Sequence, residues 1–355
     1  MSISSLAEQI EADPALRRYS RQILVDGIGV EGQKILMRSR IVLFGCGALG
    51  SAVANTLVRA GVGHIRLIDR DFIERNNLQR QLLFDEQDIA DNLPKAEAAR
   101  RKLAVINSDV DVEAVVTDIN HTNIEQLADA ADVLLDGLDN FETRFLVNDL
   151  AVKTNRPWVY GGVIGATGLT MPIIPGVTPC LRCVFESAPP AGMNPTCDTA
   201  GVLAAVVNLV AAMQAMDVMK ILLGKCDPES VRLLSIDLWK ARFNPLNVAK
   251  AKQRDCPCCT HRQFEYLDGK FGSDTTTLCG RNAVQISPRQ NGQRLEFDVI
   301  AKKLNGVAKV RFNKFMLKAQ LGDHNFTLFA DGRAIIQGTN KPEVARSIYA
   351  KYVGA

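Results

Sequence analysis

The sequence predicts a mostly parallel α/β sheet with helices on both faces, followed by a small C-terminal α+β domain, and three observations carry that prediction. Apolar runs of strand length alternate with helical patterns from residue 40 to residue 137. A glycine-rich turn, GCGALG at 45–50, joins the first of those runs to the first helical stretch. Beyond about residue 262 the alternation gives way to short strands and a hairpin signal. A chain of 355 residues with 47% hydrophobic content exceeds what one core usually holds. Two units are expected, 1–262 and 263–355.

The first strand is the apolar run Arg40 to Phe44, and a helix follows from Leu49 to Ala60. Strand, tight turn and helix in that order give a Rossmann-like beginning. A second strand runs from His64 to Asp69, then a helix around Lys95 to Ile106, a strand from Asp111 to Val116, a helix from Thr122 to Ala130 and a strand from Val133 to Gly137. Val159 to Ile164, Leu169 to Ile174 and Arg232 to Ile236 read as further strands. Between Glu186 and Thr199 lie Pro189, Pro190 and Pro195 in a polar segment where no regular element is expected. The uncharged stretch Thr199 to Met216 has a membrane-like length, but it is Ala-rich, contains Asn208 and Gln214, and runs into Asp217 and Lys220; it reads as a buried helix. In the last 93 residues, Asn325 to Ala330 and Ala334 to Gly338 flank the turn Asp331-Gly332-Arg333, and Pro342 begins a helix with Val344, Ile348 and Tyr352 on one face.

Gly45 allows the turn, Gly47 lets the backbone approach a phosphate, and Gly50 permits close helix packing. The free N–H groups at the helix start attract an anion. Asp69, at the end of the second strand, lies near the roughly 20-residue offset of a ribose-binding carboxylate. NAD and ATP fit these features equally well. The run Asn76-Asn77-Leu78-Gln79-Arg80-Gln81 and Lys95 separate them, because cleaving a triphosphate at its α-phosphorus needs cations that follow charge onto the departing pyrophosphate. An NAD-dependent oxidoreductase leaves those residues without a purpose.

Nine cysteines do not form a disulfide framework here, since the number is odd, but two CxxC pairs stand out: Cys180-Leu-Arg-Cys183 and Cys256-Pro-Cys-Cys259. Four thiolates from two such turns suit tetrahedral zinc in a structural site with no open position. Cys258, inside the second pair, is an alternative ligand to either neighbour.

The chain resembles the ThiF/MoeB family, relatives of the ubiquitin-activating enzymes. The matching pieces are Arg18-Tyr-Ser-Arg21-Gln22, GCGALG, Asp69-Arg-Asp71, NNLQRQ, Pro94-Lys95, Asp136-Gly-Leu-Asp139-Asn140, the two cysteine pairs, and Cys197 before Asp198-Thr-Ala-Gly201, in family order over residues 17 to 260. The resemblance implies ATP-dependent adenylation of the C-terminal glycine of a ubiquitin-like sulfur carrier of the ThiS or MoaD type. It implies nucleotide contacts from Gly45, Gly47, Ala48, Gly50, Asp69, Asp71, Asn77 and Gln81, and charge-stabilising roles for Arg80 and Lys95. It makes Asp139 the Mg2+-binding acid, although Asp before Asn at a strand end also makes a common turn. It gives Arg21 a role on the phosphates of the neighbouring subunit, and so a homodimer. It favours Cys256 and Cys259 beside Cys180 and Cys183 as zinc ligands. Cys197 is implied as a sulfur or acyl acceptor; a buried, inert thiol is the alternative, as it is for Cys279. A sulfurtransferase or cysteine desulfurase is an implied partner. A non-catalytic scaffold that merely binds a ubiquitin-like protein is disfavoured because every expected catalytic side chain is present.

Composition excludes some classes. A net charge of +3 on 81 charged residues, without a basic tract or aromatic-basic alternation, gives no footprint for nucleic acid. The N-terminal MSISSLAEQIEADPALRRYS has no apolar core flanked by basic residues, so a cytoplasmic protein is expected.

Overall fold

The computed structural model describes residues 3–185, 200–227, 231–270, 275–278, 282–287, 295–304 and 308–352. Among the described residues, 3–185 with 202–270 form one compact unit and those from 275 onward, with Ala200 and Gly201, the other. The division falls later than residue 262 because Tyr266 and Leu267 are buried in the core of the first unit and donate their backbone N–H groups to Asp149 Oδ2 at 2.9 and 3.4 Å.

The first unit is built on an eight-stranded sheet, β1 (Arg40–Phe44), β2 (His64–Ile68), β3 (Asp111–Val115), β4 (Val133–Asp136), β5 (Trp158–Ile164), β6 (Thr167–Ile173), β7 (Arg232–Asp237) and β8 (Arg242–Asn247), in the order β3-β2-β1-β4-β5-β6-β7-β8. The first five strands are parallel and the last three antiparallel. β1 and β4 are covered on both faces, which is why they read as unbroken apolar runs rather than alternating ones. Strand order reverses between β1 and β4. Ligands of open α/β sheets bind beyond the strand ends at such a switch point.

The helix Ala48–Ala60 follows β1 and ends at Gly61, whose φ of +80° closes it with a left-handed cap. A side chain at Gly61 has no room either, since a Cβ would lie 2.5 Å from the Tyr19 ring. The helix Ala204–Leu222 is the one described helix with the length and apolarity to cross a membrane. Its buried side, Val206, Val207, Val210, Ala211, Gln214, Ala215 and Val218, packs on β5, β6 and the Ala48–Ala60 helix, as expected for a core helix. Its N-cap is Leu203.

The helix expected over Thr122 to Ala130 is only Ile124–Leu127. Asn120 and Asn123 spend their side chains on the loop backbone before it, and Ala130 takes a positive φ of 59° after it. The pattern also failed to announce β8, a wholly exposed edge strand carrying Pro245, and the buried helix Phe141–Thr154. The segment 186–199 lies outside the described residues.

The second unit is a six-stranded antiparallel sheet of β9 (Thr275–Leu278), β10 (Ala283–Ile286), β11 (Val310–Phe312), β12 (Met316–Leu321), β13 (His324–Phe329) and β14 (Ala334–Gln337), ordered β11-β12-β13-β14-β10-β9. Phe297, Ile300 and Leu304 of the helix Phe297–Leu304, with Ala345 and Tyr349 of Pro342–Tyr352, cover one face. The predicted hairpin is β13–β14, and the final helix begins at Pro342.

Candidate active site

The glycine turn meets the loop after β4 at the switch point, with no space between them. Gly45 has φ +89°, and a Cβ there would lie 2.5 Å from the Gly137 carbonyl oxygen. A Cβ on Gly137 would lie 2.3 Å from the Gly45 oxygen and 2.9 Å from Gly50 Cα, while one on Gly50 would lie 2.0 Å from the Gly45 oxygen. These three glycines interlock by backbone. Gly137 plays a part that the sequence reading did not assign, although its motif was visible. Gly47 differs: among the described residues the one atom within 4 Å of its missing side chain is Gln81 Nε2, at 3.9 Å. One face of the turn is therefore open, and it begins a helix that no side chain caps. An uncapped N-terminus beside an open glycine is a cradle for an anion.

Asp69 ties this turn to β2. One carboxylate oxygen accepts the Cys46 N–H at 2.6 Å and the other the Asp71 N–H at 2.7 Å. Each oxygen keeps a further lone pair for a ligand hydroxyl. Burial raises the Asp69 pKa, and the Lys95 ammonium opposes that shift. Lys95, itself buried, starts the helix Lys95–Ile106; its Nζ lies 3.3 Å from Asp71 Oδ2 and its N–H donates to the Asp71 carbonyl. Burial, with the Asp69 carboxylate beside it, pushes the Cys46 thiol above its usual range.

The NNLQRQ run folds as a short helical turn over Arg75–Asn77, closed by a reciprocal hydrogen-bonded box in which Asn77 Oδ1 accepts the Glu74 N–H at 3.1 Å. Asn77 and Gln81 are buried, and Gln81 Oε1 has no hydrogen-bond partner among the described residues. Burying an unpaired acceptor is costly, which suggests that a bound molecule satisfies it. Arg80 is half-buried and its Nη1 donates to the Asn76 carbonyl at 2.8 Å.

Asp139 is exposed, and its carboxylate receives only a long contact from Asn140 Nδ2 at 3.4 Å among the described residues. Asn140 itself caps the helix Phe141–Thr154 through the Thr143 N–H at 2.9 Å. The structure thus brings Gly45, Gly47, Ala48, Gly50, Asp69, Asp71, Lys95, Asn77, Gln81, Arg80 and Asp139 to the ends of β1, β2 and β4 and the loops that follow. Arg21 does not join them: it is exposed on Ser20–Ile23, and its guanidinium makes no hydrogen bond or ion pair among the described residues. Cys197 and Cys279 lie outside the described residues.

A second centre lies apart from this one. The sulfurs of Cys180, Cys183, Cys256 and Cys259 all lie within 4.8 Å of one another, with Cys180 to Cys256 at 3.6 Å and Cys183 to Cys259 at 3.5 Å. Tetrahedral zinc with sulfurs at about 2.3 Å separates them by about 3.8 Å, so the four residues fit the ion. Cys258 is not one of the four. Its sulfur accepts from Asn148 Nδ2 at 3.2 Å, while Asn148 Oδ1 accepts the Leu181 N–H at 2.7 Å, so Asn148 braces both turns of the cluster.

Comparison with known proteins gives a consistent picture. The ThiF family model matches residues 19–258. The sulfur carrier protein ThiS adenylyltransferase of Bacillus subtilis is 43% identical over 339 residues, covering 95% of this chain and 99% of that protein. The SAMP-activating enzyme E1 of Haloferax volcanii is 38% identical over 244 residues, 69% of this chain and 88% of that one. Among solved structures, E. coli MccB with ATP aligns with a TM-score of 0.58 at 27% identity, over 68% of this chain and 74% of that one.

Proposed function

The chain belongs to the ThiF family, and from that premise we propose that it uses ATP to adenylate the C-terminal glycine carboxylate of a ubiquitin-like sulfur-carrier protein of the ThiS or MoaD type. The observation that carries this reading is the glycine cradle at the β1–β4 switch point, open and uncapped among the described residues, faced by the buried Gln81 amide whose Oε1 has no partner among them, and flanked by Lys95 and Asp139.

In the reaction a carboxylate oxygen of the carrier attacks the α-phosphorus of ATP. The bond from that phosphorus to the bridging oxygen breaks, and pyrophosphate leaves with the electron pair. The amides at the start of the Ala48–Ala60 helix hold phosphate, with Gly47 and Ala48 exposing backbone to it. Asp69, with Asp71 beside it, receives the ribose hydroxyls, and Asn77 and Gln81 orient the phosphates. Lys95 and Arg80 follow the charge onto the leaving group, where a fixed cation stabilises the transition state more than the ground state. Asp139 is the side chain that would hold Mg2+, a hard cation suited to one or two carboxylates and a triphosphate; when bound, it neutralises phosphate charge. The acyl-adenylate then presents a good leaving group to a sulfur nucleophile, so a sulfurtransferase or cysteine desulfurase is the expected partner. Cys197 is the candidate acceptor on this chain for that later step.

Arg21 serves this chemistry from the neighbouring subunit of a homodimer. Its solvent exposure, next to Leu24 and Val25 at 49% and 54% exposure, supports a covered surface there in solution. The antiparallel strands β6 to β8 receive the carrier; Trp239, Phe243 and Leu246 at the edge are 81%, 51% and 49% exposed. The four-cysteine cluster holds zinc as a structural centre, and reduced cysteines of that kind suit a cytoplasmic protein. Carrier-dependent exchange of labelled pyrophosphate into ATP tests the whole proposal. Exchange that does not require a carrier protein would refute it.

A further inference from the structure

The loop that carries Asp139 is held from beneath by Arg144, a residue of the helix Phe141–Thr154 that the nucleotide chemistry does not touch directly. Its Nε donates to Asp136 Oδ2 at 2.9 Å, and its Nη2 donates to the carbonyls of Leu138 at 2.6 Å and Gly161 at 2.8 Å. The side chains of Arg144 and Asp136 are 7% and 0% exposed. The guanidinium lies 5.5 Å from the Phe141 ring centre and 5.4 Å from that of Tyr160. Asp136 is equally engaged: it also accepts the Leu138 N–H at 2.8 Å and the Gly161 N–H at 3.2 Å.

A buried ion pair is a poor device for stability alone, because apolar side chains of similar volume would serve as well. What apolar groups cannot do is donate in several directions to fixed carbonyls. Arg144 does this on both sides of the gap between β4 and β5, and one of its acceptors is the carbonyl immediately before Asp139. We propose that Arg144 is a positioning residue that fixes Asp139 relative to the glycine turn. The inference rests on the reading of Asp139 as the acid that holds the nucleotide's divalent cation. Arg144 acts through the Leu138 carbonyl, not on the nucleotide itself. One turn further along the same helix, Asn148 ties it to Cys258 Sγ and the Leu181 N–H.

The test compares Arg144→Lys, Asp139→Asn and the double variant in the full-length zinc-loaded protein. Two readouts are taken: carrier-dependent pyrophosphate exchange as a function of Mg2+, and the binding of Mn2+, followed by EPR, in the presence of a non-hydrolysable ATP analogue. Loss of a group that orients a metal ligand typically costs 10- to 100-fold in affinity or activity. Arg144→Lys should weaken Mn2+ binding about tenfold and raise the Mg2+ half-saturation to match. The double variant should be no worse than Asp139→Asn alone, since a positioning effect vanishes with the group positioned. Wild-type Mn2+ binding in Arg144→Lys beside an impaired Asp139→Asn overturns the positioning role while leaving the Asp139 assignment intact. Independent losses that multiply in the double variant overturn it as well. Normal exchange and Mn2+ binding in Asp139→Asn refute the Asp139 reading and this inference with it. Arg144→Met, read by the same EPR titration with zinc content as the folding control, keeps the test open if Arg144→Lys folds poorly.

Discussion

Gly47→Ala separates a glycine needed for folding from a glycine needed for a ligand. The backbone of Gly47 has φ −79° and ψ −142°, and the nearest described atom to the new methyl is Gln81 Nε2 at 3.9 Å. That is ordinary contact, so the fold loses the preference for glycine at this helix N-cap, about 1 kcal/mol. Such a change moves the melting temperature by roughly 2 to 4 °C in a unit of this size. The methyl nevertheless enters the open space between the turn and Gln81, where the phosphates are proposed to lie. A carbon there keeps phosphate oxygens at about 3.5 Å or more, too far for N–H···O bonds of about 2.9 Å. Losing two bonds to charged oxygens at roughly 1.5 kcal/mol each weakens ATP binding by about a hundredfold. Calorimetric titration with MgATP and a thermal melt, run on the same preparation, measure both quantities. Gly50→Ala is the counterpart, because its Cβ meets the Gly45 oxygen at 2.0 Å and the fold itself must give. A well-folded Gly47→Ala protein that binds ATP with wild-type affinity would show that phosphate does not approach this backbone, and the reasoning would be refuted.

Three further outcomes follow from particular side chains. Arg80→Ala leaves the melting temperature near wild type, since Arg80 makes one hydrogen bond to its own turn, but lowers carrier-dependent pyrophosphate exchange by about a hundredfold; unchanged exchange removes it from the mechanism. Cys259→Ser loses zinc and stability while Cys258→Ser keeps the metal, because only the former belongs to the four-sulfur group; metal analysis of the purified proteins decides between them. Asp217 is raised from its ordinary 3.8 to about 6, first by burial, with Lys220 opposing. The folded chain therefore holds a proton that the unfolded chain releases between about pH 4 and 6, so its contribution to stability falls as pH rises through that window and the cost persists above it. Asp217→Asn should raise the melting point at pH 8, by a stabilisation of roughly 1 to 3 kcal/mol, and leave it little changed near pH 4; an equal shift at both pH values contradicts the assignment.

Much of the fold was legible because buried parallel strands leave unbroken apolar runs. β1, β2 and the Lys95–Ile106 helix stand where the pattern put them. β8 was not legible: an exposed edge strand has no apolar alternation to read, and Pro245, which has no N–H to donate, argues against a strand except at a sheet edge. The helix Phe141–Thr154 was missed because all its residues from Arg144 to Val152 are buried, leaving no polar stripe to mark a period. The same burial hid the pairing of Arg144 with Asp136, since a charged residue in a sequence reads as surface until its partner is known. The glycine turn and cysteine pairs were legible from spacing alone. That Gly137 locks Gly45 and that Cys258 bonds Asn148 depend on contacts between distant segments.

Intact mass spectrometry of a ThiS- or MoaD-type carrier, incubated with this protein and MgATP and quenched at once, tests the central claim most directly. The account predicts a carrier that has gained one AMP at its C-terminal glycine, matched by one pyrophosphate released. Unmodified carriers of both types with ATP left uncleaved, under conditions where the protein is folded and binds nucleotide, would contradict it.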